Sequence, residues 1–158
     1  MVGVLLLDLD GFKLVNDSYG HDVGDALLVA VGQLLQKLVR ESDTVARLGG
    51  DEFVVLLGEM SDEASAGEVA EKILLAMAEP LRLSPERALP AGASIGISIH
   101  PMDGTDLDSL LRHADSAMYQ AKGAGRMCYR YYSAPAGSKA VRLSAMQPPG
   151  GVGRTSGQ

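Results

Sequence analysis

The chain has 158 residues, 46% of them hydrophobic, few aromatics, no tryptophan and a net charge of −6. That fits one domain with an aliphatic core, and it excludes the broad basic footprint of a nucleic-acid surface while leaving a metal-assisted polyphosphate site open. Cys128 is the only cysteine, which rules out an internal disulfide and argues against zinc; with no basic leader and no apolar run of membrane length, the expected location is cytoplasmic.

The first strand is expected over about residues 2–7. Val4-Leu5-Leu6-Leu7 is a continuous apolar run, as in a central strand buried on both faces. It exits into Asp8-Leu9-Asp10-Gly11, and alternation along the strand points Asp8 and Asp10 the same way. Residues 11–17 read as a loop, followed by Gly20-His21-Asp22-Val23-Gly24-Asp25. A helix then runs to about Val39, with Leu27, Val31, Leu34, Leu35 and Leu38 at helical spacing.

Two strands follow, over residues 43–48 and 53–57. The tip between them is Gly49-Gly50-Asp51-Glu52. Two glycines permit a tight turn and leave room for a ligand. A hairpin needs no acidic pair at its tip, so the carboxylates point to a divalent cation. Ser61-Asp62 opens a second helix with Val69, Ile73, Leu74 and Met77 on one face, and Pro80 follows its end. Residues 94–99 alternate as a strand. Thr105-x-x-Asp108 has the spacing of a capping box before a third helix, whose face is Leu107, Leu110, Leu111, Ala114, Ala117, Met118 and Ala121. A short strand over residues 128–132 completes the order β-α-β-β-α-β-α-β. Its inner part is the ferredoxin-like pattern of an α/β (α+β) domain. Residues 133–158 are rich in Pro, Gly and Ser and read as a disordered tail.

If the first strand lies beside the hairpin, Asp8 and Asp51 share an ion. Mg²⁺ takes one or two carboxylates plus substrate phosphates, which suits phosphoryl or nucleotidyl transfer. Read alone, Asp8-Leu9-Asp10 is equally a turn or cap, and Gly49–Phe53 a plain polar tip.

Five motifs together identify a resemblance: LLLDLDGFKLVND, YGHDVGD, RESDTVARLGGDEF, ASIGIS and HADSAMYQAKGAGR. From about Val4 to Arg126 the chain closely resembles the GGDEF domain of diguanylate cyclases, which condense two GTP into cyclic di-GMP and two pyrophosphates. The resemblance implies a nucleotidyl-cyclase, polymerase-palm-like sheet flanked by helices over residues 1–132. It implies that Asp8, Asp51 and the Leu9 carbonyl hold Mg²⁺ (or Mn²⁺), with Glu52 beside a second metal or the attacking 3′-hydroxyl. Asn16 and Asp25 would read guanine. A carboxylate accepts from N1–H and N2–H₂ and repels the N1 acceptor of adenine. Read alone, Asp25 is also a helix N-terminal acid and Asn16 a turn residue. Phe12, Lys13 and Gly50 would border the nucleotide, and Lys122 and Arg126 would hold the terminal phosphates. Alone, these two cations also suit a helix C-terminus, and Phe12 a core position.

Arg40 and Asp43 match the family's RxxD inhibitory site, which implies inhibition by cyclic di-GMP away from the reacting groups. A helix-ending Arg and a turn Asp are the plainer alternative. Each domain binds one GTP, so the resemblance implies a catalytic homodimer. In the family a helical segment with a DxLTGLxNR-like motif precedes the first strand, whereas Met1 stands immediately before it here. The expectation is a truncated domain with apolar sheet surface uncovered and an upstream sensor or partner protein. Met127 stands where the family often has Asn. Two other functions compete: an inactive GTP or cyclic di-GMP-binding signalling module, and a related nucleotidyl cyclase or palm protein.

Overall fold

The middle strand of the main sheet is β1 (Val2–Leu9), in a computed structural model that describes residues 1–133. The expected disordered tail, from residue 134 onward, lies outside the described residues. On one side of β1 stands β3 (Glu52–Leu57) and then β2 (Thr44–Gly49); on the other stands β6 (Ala93–His100) and then β7 (Tyr129–Tyr131). The pairings are antiparallel except β6 with β7. With β1, β2, β3 and β6 as its four strands, the sheet has the ferredoxin-like order, and β7 adds a parallel edge.

Both faces of β1 are covered, as its unbroken apolar run demands. Leu5 and Leu7 pack in the larger core with α2 (His21–Leu38) and α3 (Ala64–Met77). Val4 and Leu6 pack on the opposite face with Leu110, Ala114 and Met118 of α4 (Leu107–Gly123). Each fully buried aliphatic side chain contributes about 1.5–3 kcal/mol of transfer free energy. Gly96 lets α4 settle on β6, because a Cβ there would overlap the Ala114 carbonyl.

Three features differ from the sequence reading. Residues 12–19 are a helix, α1 (Phe12–Tyr19), rather than a loop. Gly11 precedes it at φ 74 and Gly20 ends it at φ 91, so glycines at left-handed φ bound a helix of only two turns. A separate hairpin, β4 (Leu81–Ser84) and β5 (Arg87–Leu89), links α3 to β6. The cap of α4 is Asp106, whose carboxylate accepts from the Ser109 N–H at 2.8 Å, one residue beyond the expected Thr105.

At the start of α3, the Asp62 carboxylate accepts from the Ser65 N–H at 3.1 Å, and the Tyr131 hydroxyl holds two further backbone groups. It accepts from the Gly67 N–H at 2.8 Å and donates to the Glu63 carbonyl at 2.6 Å. Among the described residues, no helix is long and apolar enough to cross a membrane.

Candidate active site

Antiparallel pairing of β1 and β3 sets Asp8 opposite Glu52. Both therefore project from the sheet face that carries Val4, Leu6 and Val54, beneath α4. Asp51 joins them from the hairpin tip, where its backbone carbonyl accepts from the Leu9 N–H at 3.2 Å. The tip turns through Gly49 at φ 143 and Gly50 at φ 52, values an L side chain rarely adopts. The expected meeting of Asp8 and Asp51 is thus built by strand register and one glycine turn.

The electrostatics of this corner are those of crowded acids. Burial first, then the hydrogen bond and charge of Asp8, push the Asp51 carboxyl up to about 6; its own backbone N–H and Lys122 oppose the rise. Glu52 is also raised, by burial, Asp8 and Asp115, again against Lys122. Lys122, in the last turn of α4, forms an ion pair with Asp8 Oδ2 and is held charged above its ordinary range chiefly by that hydrogen bond.

Asp8 Oδ1 is buried and has no hydrogen-bond partner among the described residues, and such an atom is costly unless something binds it. A divalent cation between Asp8 and Asp51 would satisfy that oxygen and offset the burial and the Asp8 charge that raise the Asp51 carboxyl. The donor set fits Mg²⁺ or Mn²⁺ on that ground. Among the described residues no group of three or more acids, histidines or cysteines gathers round one ion. Two carboxylates match a cation that completes its shell from substrate phosphates.

Asp10 turns to a different task. It accepts from Ser94 Oγ at 2.8 Å and from the Met127 N–H at 3.0 Å, and Arg126 Nε stands 4.0 Å away. It therefore ties the start of β6 to the turn after α4. Arg126 and Met127 both have left-handed φ, 66 and 52. Asn tolerates that region far better than Met, which accounts physically for the preference at position 127. Lys122 and Arg126, expected together at the terminal phosphates, lie at one end of α4, Lys122 beside Asp8 of β1 and Arg126 beside Asp10 just after it.

On the other side of the sheet, Asn16 of α1 packs onto Gly24 of α2, directly before Asp25. Asp25 lines a cleft of about 470 Å³ with Leu28, Arg47 and Phe53 among its walls. Asn16 thus packs against the residue that precedes Asp25 in the chain. Phe12 and Lys13 form the first turn of α1, where N–H groups lack intrahelical partners and can meet phosphate. The half-buried Phe12 ring also packs against the larger core.

Arg40 and Asp43 lie at the opposite end of β2 from the glycine turn. Arg40 donates to the Gly58 carbonyl at 2.6 Å and to Asp43. Asp43 accepts from the Arg40 and Gly58 backbone N–H groups at 2.9 and 3.2 Å, and its side chain is 2% exposed. The pair is therefore a brace between the start of β2 and the end of β3, as well as a candidate ligand site. The sequence reading missed Asp115, whose helical offset of seven from Lys122 puts it on the same α4 face. It also missed Arg47, two residues before the glycines.

Residues 1–128 match the family described as diguanylate cyclase, GGDEF domain. The chain is 46% identical over 129 residues to the bifunctional diguanylate cyclase/cyclic di-GMP phosphodiesterase MucR of Pseudomonas aeruginosa, covering 82% of this chain and 18% of MucR. It is 40% identical to the cyclic di-GMP phosphodiesterase NbdA of the same organism, covering 84% of this chain and 17% of NbdA. The chain thus spans less than a fifth of the length of these curated relatives. The crystal structure of the GGDEF domain of TpbB (YfiN) from Pseudomonas aeruginosa superposes with a TM-score of 0.81 at 41% identity, covering 84% of this chain and 82% of that one. Motifs, strand register, the acidic corner and these likenesses agree, and the chain belongs to the GGDEF family of diguanylate cyclase domains, with the family's palm-like nucleotidyl cyclase fold.

Proposed function

We propose that the chain is a diguanylate cyclase, which condenses two GTP into cyclic di-GMP and releases two pyrophosphates. The observation that carries this reading is the convergence of Asp8 and Asp51, with a buried Asp8 oxygen that has no partner among the described residues, beside Lys122.

Asn16 and Asp25 orient guanine, the carboxylate accepting from N1–H and N2–H₂. The first turn of α1, at Phe12 and Lys13, and the side chains of Lys122 and Arg126 hold the phosphates. Gly50 leaves room for the nucleotide to approach. Asp8, Asp51 and the Leu9 carbonyl hold Mg²⁺ or Mn²⁺, which when bound polarises the α-phosphate and lowers the pKa of the attacking hydroxyl. Glu52 stands beside that 3′-hydroxyl, which a second copy of the domain presents. Proximity in this homodimer supplies much of the rate, so a monomer binds GTP without turning it over. Arg40 and Asp43 bind cyclic di-GMP and restrain the enzyme. An upstream sensor or partner brings two domains together in the cytoplasm.

A second reading is a signalling module that binds GTP or cyclic di-GMP without chemistry. The 40% identity to a segment of NbdA, a protein named for the phosphodiesterase activity, favours it. Turnover of GTP with Mg²⁺ at low and high protein concentration separates the two. Cyclic di-GMP formation that rises faster than linearly with protein and vanishes in Asp51→Ala is the expected result. A folded chain that binds cyclic di-GMP and never makes it is the module.

A further inference from the structure

The hairpin tip is poorly held by packing. Apart from its chain neighbours, a Cβ built on Gly49 or Gly50 would meet no atom of the described residues within 4 Å. Glycine rotates readily, so Gly50 does little to fix the peptide between it and Asp51. A flip is opposed locally only by Asp51, which is not at positive φ here and would be driven there. In the structure it has one orientation, and a side chain defines it: Arg47 Nε donates to the Gly50 carbonyl at 2.9 Å. A trans peptide points its C=O and N–H in opposite directions. With the Gly50 carbonyl turned to the guanidinium, the Asp51 N–H is turned away from it. That N–H lies at the Asp51 carboxylate, on the side where the divalent cation and its phosphates are expected. Flipped, the same peptide would aim a carbonyl oxygen at those anions.

We propose that Arg47 is a positioning residue that locks the Gly50–Asp51 peptide, so that the Asp51 N–H faces the phosphoryl group of the bound nucleotide. Its place in β2 suits the task. It pairs with Phe53 across the hairpin, and the strand register shifts between Arg47 and Gly49, which brings residue 47 back onto the tip. The consequence for turnover rests on the cyclase reading; the locking of the peptide does not.

Two measurements test it on the full chain. The first is a crystal structure of metal-free Arg47→Ala, with the Asp51 amide proton followed by NMR. A flipped or doubly populated Gly50–Asp51 peptide is expected, and the wild-type orientation alone would overturn the proposal. The second compares turnover of GTP by Arg47→Ala, Arg47→Gln and Arg47→Lys. Loss of one oriented donor predicts a fall in kcat of about 10- to 100-fold in the alanine variant, with KM changed less than about threefold. Gln, a neutral donor to the same carbonyl, restores part of it. Rescue by Lys but not Gln would mean that charge at the phosphate, not the peptide, is what Arg47 provides, and would refute the assignment. A wild-type chain that makes no product would refute the cyclase reading and leave the peptide orientation to decide this one.

Discussion

The side-chain oxygen of Asn16 occupies the space that a Cβ on Gly24 would need. α1 and α2 approach each other closely at this point, and the approach holds Asn16 against the residue that precedes Asp25. Gly24→Ala gains helix propensity of roughly 1 kcal/mol, which offsets much of the strain of displacing a half-buried Asn. Global stability by urea unfolding should therefore move by less than about 1 kcal/mol. GTP affinity should fall about tenfold in Gly24→Ala and in Asn16→Ala alike, and the double variant should lose little more than either single one. Additive losses would mean that the two positions act separately.

Asp51 makes binding of the divalent cation depend on pH. Its carboxyl is raised from 3.8 to about 6, by burial and by Asp8, and must ionise to take the cation. Mn²⁺ affinity should fall as pH drops through about 6, with one proton released per ion bound well below that pH and none well above it. The stability effect has the opposite sign. Between 3.8 and about 6 the folded chain binds more protons here than the unfolded chain does. The contribution is full at low pH and lost as pH rises through about 6. In Asp51→Asn the thermal midpoint of the metal-free chain should decline less over that window.

Arg40 and Asp43 should separate on mutation. Arg40 is largely exposed, and its loss removes a grip on ligand while Asp43 keeps its backbone donors. Arg40→Ala should relieve inhibition by cyclic di-GMP at unchanged basal turnover. Asp43→Ala leaves the Gly58 and Arg40 N–H groups without their acceptor, at a cost of about 1–3 kcal/mol. Its unfolding midpoint should drop in urea, and an unchanged midpoint would show that the brace contributes nothing.

Tyr131 joins β7 to the start of α3 through one hydroxyl that both accepts and donates. Tyr131→Phe keeps the ring, which is packed in the larger core, and strands a buried N–H of Gly67. The expected loss is about 1–3 kcal/mol, with GTP turnover per folded molecule unchanged. A change in KM at constant stability would instead tie this corner to the site.

What could be read from the sequence was whatever follows from periodicity and motif. The apolar run of Val4–Leu7 foretold a central strand, and the helical spacing of Leu27, Val31 and Leu35 foretold α2. The meeting of Asp8 with Asp51 followed once the hairpin was set beside the first strand. What stayed hidden depends on tertiary contacts. α1 has too short a repeat to show an apolar face and is bounded by glycines rather than by a capping side chain. Asp10, one of two equivalent-looking acids, is set apart from Asp8 only by Ser94 and the Met127 N–H, which come from distant parts of the chain. The Tyr131 cap and the Arg47 brace likewise have no local signature.

Lys122 holds the Asp8 carboxylate in the metal-free chain and also lies where terminal phosphates are expected. A cation between Asp8 and Asp51 competes with it for Asp8, and the freed ammonium becomes available to phosphate. Lys122→Met keeps the packed stem and removes the charge. Without that charge one of the influences holding down the Asp51 carboxyl is gone, so the pH midpoint for Mn²⁺ binding should rise above its wild-type value. At pH 8, where Asp51 is ionised in either chain, Mn²⁺ alone should bind the variant at least as well, because its competitor is missing. The KM for GTP should nevertheless rise about tenfold, since a phosphate contact is lost. Weaker Mn²⁺ binding at pH 8 would show that Lys122 organises the carboxylates rather than competing for them.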